Sequence, residues 1–357
     1  MTGAVRLRAP REIAEARELI EADGLQFEND ADDMVGVYDG DRLIATASRA
    51  GYVFKMFAID PGYRGGEAFG ELITELLRSG RAAGHSSFFV YTRPEHAQSF
   101  EAANFRLLVA HGPVALLEYG GGLEAYLDAH SRWQAPAAGS CGSVVVNANP
   151  FTLGHLHLVE RAAARTGALY LFVVREDRSV FPFAIRERLV RAGTSHLPNV
   201  RVLDTSRYSI SAATFPSYFL KKVDAVALAQ MQIDLRLFAS RIAPYFSIRS
   251  RFVGEEPYCA TTAAYNRAMA EVLPEYGIDL VVIPRKEHAG AAISATRVRE
   301  AMAAGVPQTI EACVPPSTYQ FLRSAEGEAI AARLRERSRH ESTERTERTE
   351  RSERTES

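Results

Sequence analysis

Apolar and polar positions divide the chain into two stretches of different rhythm. Within residues 34–109, MVGVYDG and DRLIATAS flank Asp39-Gly40, whose preference for left-handed backbone reads as a hairpin turn. YVFKMFAID predicts the next strand. AFGELITELLRSGRAAG spaces its apolar residues as one face of a helix that Gly84 closes. SSFFVYT, a short helix near Gln98–Ala103 and FRLLVA complete this stretch, with a first helix expected within residues 11–22. Gly120-Gly121-Gly122 and WQAPAAGS then bracket a short helix and mark a boundary. From residue 143 apolar runs alternate with helical patterns: SVVVNA, ALYLFVV, VRVLDT, DAVALAQ, IRSRFVG and IDLVVIP are the expected strands. That order predicts βαβ units, a doubly wound parallel sheet, and a ligand at the strands' carboxyl ends.

Composition narrows the classes. A hydrophobic content of 46% supports packed cores, and a formal net charge of -2 leaves no overall nucleic-acid footprint. No run of 18 apolar residues predicts a membrane span, and the first twenty residues lack the apolar core of a signal peptide. A cytoplasmic protein with no membrane or nucleic-acid partner is expected. Cys141, Cys259 and Cys313 are far apart and form no CxxC pair, so neither a disulfide framework nor a zinc site is expected. The end of the chain, ESTERTERTERSERTES from Glu341, repeats Thr/Ser-Glu-Arg without an apolar residue, and residues 326–357 are expected to form a charged, largely disordered tail.

Two stretches carry candidate chemistry. SVVVNANPFTLGHLHLVERAA ends a buried strand in the polar loop Asn147-Ala148-Asn149-Pro150 and restarts as a helix near Gly154. The free N–H groups and positive dipole end of that helix favour an anion. Gly154 would let a phosphate approach the backbone, with His155 donating to a phosphate oxygen and Thr152 offering a hydroxyl. In AAISATRVREAMAAG, Ile293 ends a loop, Ser294 sits at an N-cap position, Thr296 lies in the first turn, and Arg297 and Arg299 follow. Each motif alone also reads as an ordinary capped helix. Their placement at the first and last strands of one parallel sheet is what a triphosphate needs: two dipole ends with cations between.

TLGH resembles the (H/T)xGH signature of the nucleotidylyltransferase superfamily, and ISATRVR resembles its ISSTxxR signature. Five blocks, NANPFTLGHLHLVERAA, REDRSVFPFAIRERLV, YSISAATFPSYFLKK, RFVGEEPYCATTAAYN and ISATRVREAM, are further similar to the citrate (pro-3S)-lyase ligase family. That resemblance implies a doubly wound nucleotidylyltransferase domain over residues 143–325. It also implies a GNAT-type acetyltransferase-like α/β domain over residues 1–125, with 126–142 as a linker. The implied reaction uses ATP and acetate to acetylate the thiol of a coenzyme-A-like prosthetic group on the acyl-carrier subunit of citrate lyase. Acetyl-adenylate is the intermediate, and AMP and pyrophosphate leave. Thr152 and His155 would hold the α and β phosphates, and Ser294, Thr296 and Arg299 the β and γ phosphates. Asn147, Asn149, Pro150, Phe151, Gly154, Ile293 and Arg297 would complete the nucleotide cradle. Mg2+ would bridge phosphate oxygens with few protein ligands, so no carboxylate cage is expected.

Other polar residues stand at expected strand ends. Arg175, Asp177 and Arg186 read as nucleotide-binding residues or as a solvated loop and helix face. Ser209, Ser211 and Thr214 read as acetate-recognising or as helix caps, and Asp234 as a ribose contact or a cap. The first domain departs from its family. Acetyltransferases of this kind cradle coenzyme A pyrophosphate with Arg-x-x-Gly-x-Gly/Ala, whereas here Arg64-Gly65-Gly66-Glu67-Ala68 puts a carboxylate where glycine is wanted. Docking of the carrier's prosthetic arm is the expectation for this domain, rather than acetyl transfer of its own. Two readings share the phosphate motifs: an adenylyltransferase acting on a phosphorylated small molecule such as phosphopantetheine, and a non-catalytic nucleotide sensor.

Overall fold

A computed structural model of the chain describes residues 2–134, 140–175, 179–209, 223–256 and 260–336. The described residues up to Arg132 and those from 223 to 242 pack as one compact unit. Those from Trp133 to Ser209 and from Ala243 onward pack as a second.

The first unit has β1 (Thr2–Arg6), α1 (Pro10–Ala22), β2 (Asp33–Asp39), β3 (Arg42–Ala50), β4 (Val53–Ile59), α2 (Ala68–Ala82), β5 (Phe88–Thr92), α3 (Ala97–Ala102), β6 (Arg106–His111), β7 (Val114–Tyr119) and α4 (Gly122–Ala129). Its seven-stranded sheet runs β1-β2-β3-β4-β5-β7-β6, with β4 and β5 as its parallel pair. The hairpin expected at Asp39-Gly40 joins β2 to β3. Alternate residues of β3, β4 and β5 bury Ile44, Phe54 and Phe88 against Leu72 and Leu76 of α2. Gly80 is the close approach there, because a Cβ would stand 2.2 Å from the Phe88 ring.

The second unit contains β8 (Cys141–Val146), α5 (Leu153–Ala163), β9 (Ala168–Val173), α6 (Phe183–Thr194) and β10 (Val200–Asp204). The chain then crosses to the first unit with α7 (Val223–Leu237) and returns through α8 (Ala243–Tyr245). β11 (Ile248–Gly254), α9 (Ala260–Val272), β12 (Asp279–Ile283), the small hairpin β13 (Glu287–His288) and β14 (Ala291–Ala292), α10 (Ala295–Ala304), α11 (Pro307–Cys313) and α12 (Pro316–Leu322) follow. Five parallel strands take the order β10-β9-β8-β11-β12. Connections therefore diverge on either side of the β8/β11 pair, and the crevice at their carboxyl ends is the place such sheets bind ligands.

Three expectations differ from the structure. DAVALAQ lies in helix α7 rather than in a strand, and Asp234 is buried there at 7% exposure, so it contributes no ribose contact at a strand end. A short apolar run is compatible with either element, and here its 15-residue length goes with the helix. Residues 325–336 are helical, with Ile330 and Ala331 buried in the second unit's core, so ordered structure continues beyond residue 326. The remainder of the expected tail lies outside the described residues, as do Asp177, Ser211, Thr214 and Cys259.

Candidate active site

Helix α5 begins where β8 releases the chain. Thr152 is its N-cap: the Oγ1 accepts the His155 N–H at 3.4 Å, and the Thr152 N–H donates to His155 Nδ1 at 3.1 Å. This is a capping box in which a histidine takes the place of the usual glutamate. Nδ1 also lies 2.9 Å from Thr152 Oγ1. An Nδ1 that accepts a backbone N–H carries no proton, so the neutral ring bears its hydrogen on Nε2 as a donor. Burial, and then the charge of Arg285, push the imidazole pKa down to about 4. Phe151, fully buried, stacks beneath the ring at 5.8 Å and 15°. It packs there because Gly193 of α6 has no Cβ, which would stand 2.6 Å from the Phe151 ring.

Helix α10 is built in the same way. Ser294 caps it, its Oγ accepting the Arg297 N–H at 3.2 Å. Arg299 turns back across the crevice and donates Nη1 to the Asn149 carbonyl at 2.6 Å and Nη2 to Thr296 Oγ1 at 3.0 Å. Burial lowers the pKa of its guanidinium from the usual arginine value. Arg297 has its Nη1 buried with no hydrogen-bond partner among the described residues. The two helix N-termini also meet through main chain, since a Cβ on Gly154 would lie 2.8 Å from the Ile293 carbonyl oxygen. Asn147, Asn149, Thr152, His155, Ser294, Thr296 and Arg299 are thereby gathered at one end of the sheet.

Several expected site residues take a different part. Gly154 is required by the Ile293 backbone, whose carbonyl oxygen leaves no room for a Cβ. Thr152 is buried at 1% exposure and spends its hydroxyl on His155, so it positions the ring rather than meeting a ligand. Phe151 belongs to the core cluster, and Ile293 is buried beside it. Pro150 is buried and follows a cis peptide bond with Asn149. Arg186 is wholly buried and donates to the carbonyls of Phe181 (2.9 Å), Asn147 (2.8 Å) and Val174 (2.7 Å). It pins the loops after β8 and β9, because buried carbonyls need donors. Arg175 is exposed at the end of β9, near Asp204 at 3.5 Å and over the Phe183 ring.

Arg285, which no motif singles out, stands beyond β12 at the same end of the sheet, donating to the Glu255 carbonyl at 2.5 Å and to the Glu256 carboxylate. Its signal is positional: a cation right after the last apolar strand of a doubly wound sheet. Among the described residues no group of three or more His, Cys, Asp or Glu is placed to hold a metal ion. A metal arriving with a triphosphate would depend on phosphate oxygens, which suits the hydroxyls and cations present.

In the first unit, Arg64 is tied to Asp23 and donates to the Ile59 carbonyl at 3.3 Å. The cavity beside that loop, of about 620 Å³, is walled by Glu67, Glu71 and Glu75, and no residue lining it carries a positive charge. Such a wall repels pyrophosphate, which counts against docking a polyphosphate arm there. No described helix is long and apolar enough to cross a membrane.

A family model described as "Citrate lyase ligase C-terminal domain" matches residues 141–322. The citrate (pro-3S)-lyase ligase of Klebsiella pneumoniae is 40% identical over 79% of this chain and 84% of its own length. That of Escherichia coli K12 is 33% identical over 88% and 91%. A phosphopantetheine adenylyltransferase of Streptococcus gordonii is 30% identical over 49% of this chain and 88% of its own. Among solved structures, FeeM, an N-acyl amino acid synthase from uncultured soil microbes, is similar over 33% of this chain and 89% of its own, at 18% identity and a TM-score of 0.29. The matched model, which spans the starts of both α5 and α10, and the relatives covered over most of their length agree that the chain belongs to the citrate (pro-3S)-lyase ligase family.

Proposed function

We propose that this chain uses MgATP and acetate to acetylate the thiol of a coenzyme-A-like prosthetic group on the citrate lyase acyl-carrier subunit. A carboxylate oxygen of acetate attacks the α-phosphorus, the bond to the β-phosphate oxygen breaks, and pyrophosphate leaves. The thiol sulfur then attacks the acetyl carbon, AMP departs, and the thiol proton passes to solvent. Negative charge grows on the α-phosphate and on the leaving group, so positioning and charge stabilisation dominate. The observation that carries this reading is the joining of two helix N-termini across the crevice, with Arg299 spanning from α10 to the Asn149 carbonyl.

The residue roles follow from that frame. His155 Nε2–H donates to the oxygens of the α and β phosphates, while Thr152 and Phe151 fix the ring. Ser294, Thr296 and Arg299 meet the β and γ phosphates, and Arg297 brings the guanidinium nitrogen left without a protein partner among the described residues. Asn147 and Asn149 shape the loop, and exposed Arg175 faces the same end of the sheet. Magnesium comes as part of the substrate and neutralises phosphate charge.

Steady-state pyrophosphate release from ATP tests this, with and without acetate and deacetylated carrier, in the wild type and His155→Ala. Turnover that needs both acetate and carrier, and falls at least about 100-fold in the variant, is expected. Release that ignores acetate would replace the reading with an adenylyltransferase for a phosphorylated acceptor. ATP binding without release would replace it with a nucleotide sensor.

A further inference from the structure

The acid that attacks the α-phosphorus needs a place of its own, and the order of the strands says on which side. Along β10-β9-β8-β11-β12, helix α5 follows β8 in the middle and α10 follows β12 at one edge. Pyrophosphate drawn to α10 therefore departs toward the β11/β12 side. Attacking and leaving oxygens are roughly in line across phosphorus, so the nucleophile enters from the ends of β9 and β10. Arg175, two residues beyond β9, stands there. Its main chain is fixed against the loop that follows β8. The Val174 N–H donates to the Val146 carbonyl at 3.0 Å, and Arg186 Nη1 joins the carbonyls of Val174 (2.7 Å) and Asn147 (2.8 Å). The Arg175 N–H donates to Thr205 Oγ1 at 3.1 Å. Arg299 holds the Asn149 carbonyl at 2.6 Å, so Arg175 and Arg299 flank one loop. The Arg175 guanidinium is placed but not consumed. It lies 5.3 Å from the centre of the Phe183 ring, which the buried Arg186 guanidinium also meets at 5.7 Å. Asp204 Oδ1 holds one corner of it, Nη1, at the outer limit of 3.5 Å, and that oxygen already accepts the Ser206 N–H at 2.6 Å. Nε and Nη2 have no protein partner among the described residues.

We infer that Arg175 binds the carboxylate of the acid substrate rather than the nucleotide. Its available donors take one acetate oxygen and leave the other to attack the α-phosphorus. Acetate is already an anion, so the new P–O bond forms as the bond to the β-phosphate oxygen breaks, and no proton moves. A cation behind the incoming carboxylate offsets its repulsion by the phosphates. Neighbouring strands are about 4.8 Å apart, so a long side chain at the end of β9 reaches a carboxylate held about 3–3.5 Å from a phosphorus at the end of β8. The carboxylate of Asp204 beside the guanidinium disfavours an acid with a second negative group, which makes the substrate class a short monocarboxylate. This rests on the proposed ligase function, and the test separates the two.

The test measures pyrophosphate release by the full-length chain at saturating carrier, varying acetate and MgATP in turn, in the wild type and Arg175→Ala. The side chain is exposed and its main-chain bond to Thr205 survives any substitution but proline, so the variant is expected to fold. Its KM for acetate should rise about 10- to 100-fold, the loss of one charge-assisted carboxylate contact. Its KM for MgATP, and the affinity for MgATP by calorimetry without acetate, should stay within about twofold. Millimolar guanidinium chloride, which supplies the missing cation, should recover part of the acetate-dependent rate in Arg175→Ala and none in the wild type. An unmoved KM for acetate overturns the assignment while acetate-dependent turnover of the wild type keeps the ligase function standing. KM values for acetate and MgATP that rise together, with weaker MgATP binding, make Arg175 a nucleotide residue and overturn it as well. Wild-type release that ignores acetate removes the ligase function itself, and the acid site with it.

Discussion

Gly154→Ala adds one methyl group at the point where the starts of α5 and α10 touch. The added carbon would lie 2.8 Å from the Ile293 carbonyl oxygen, whereas carbon–oxygen contacts settle at about 3.3–3.6 Å. The seam must therefore open by about 0.5–0.8 Å. No flexible side chain can absorb this, because the obstacle is main chain, Ile293 is 5% exposed, and its N–H is held by Lys286 at 3.0 Å. Overpacking costs about 1–3 kcal/mol, and alanine in place of glycine in a helix returns about 0.5–1 kcal/mol. The net loss of stability is about 0–2.5 kcal/mol, a few degrees in Tm. Catalysis is the more sensitive readout, since a displacement approaching 1 Å between groups that share one phosphate chain costs up to about 100-fold. The expected result is a 10- to 100-fold fall, roughly, in kcat/KM for MgATP in the pyrophosphate-release assay, with the fold retained by circular dichroism. A folded Gly154→Ala protein within about twofold of wild type would refute the idea that this seam sets the geometry.

Four further outcomes are expected. His155 has its pKa lowered to about 4 in the folded chain, below the ordinary 6.5, so its contribution to stability is complete above about pH 6.5 and lost as pH falls toward 4. That contribution is about 3 kcal/mol, and the difference in denaturant unfolding between wild type and His155→Asn should shrink accordingly from pH 7 to pH 4. Arg299→Lys keeps the charge but cannot span Asn149 and Thr296 together, so kcat/KM for MgATP should fall about tenfold, and about 100-fold in Arg299→Ala. Arg186→Met leaves three carbonyls without their donor and should cost at least about 3 kcal/mol, read as a lowered thermal midpoint before any effect on nucleotide binding. Arg64→Ala, at a residue committed to Asp23, should leave the KM for the carrier within about twofold.

The alternation of strands and helices beyond residue 143 was legible because parallel strands buried on both faces read as unbroken apolar runs, and five of the six expected runs are strands. DAVALAQ misleads for the same reason: a continuous apolar run has no period to tell a helix from a strand. In the first unit, VALLEY, beyond the last strand expected from the sequence, is β7, and the chain turns back to it from β6 through Gly112-Pro113. The caps on α5 and α10 were visible as Thr152 and Ser294 at the right offsets from an apolar face. Which face of each residue is used was not. Gly154 could equally admit a ligand or a backbone, and only the fold brings Ile293 to it across nearly 140 residues. Arg186 could not be told from a surface arginine of α6, because the carbonyls it satisfies belong to loops distant in sequence. Arg285 carries no local pattern at all.

The passage of α7 into the first unit has a consequence for dissecting the protein. Ile233, Leu235 and Leu237 are at most 2% exposed, the helix lies against β6 and β7, and Arg241 just after it donates to the carbonyls of Leu107 and Leu108 at 3.0 Å. A fragment that begins at residue 133 would keep every candidate nucleotide-site residue named above and still present this helix to water without β6 and β7 to cover it. Losing about 2 kcal/mol of burial for each large side chain, and gaining an exposed apolar surface, it should associate or precipitate rather than work as a free-standing nucleotide domain. Conversely, a fragment that stops at residue 132 would leave the outer strands of its own sheet bare. The two halves of the gene are therefore expected to be recovered as soluble protein together or not at all.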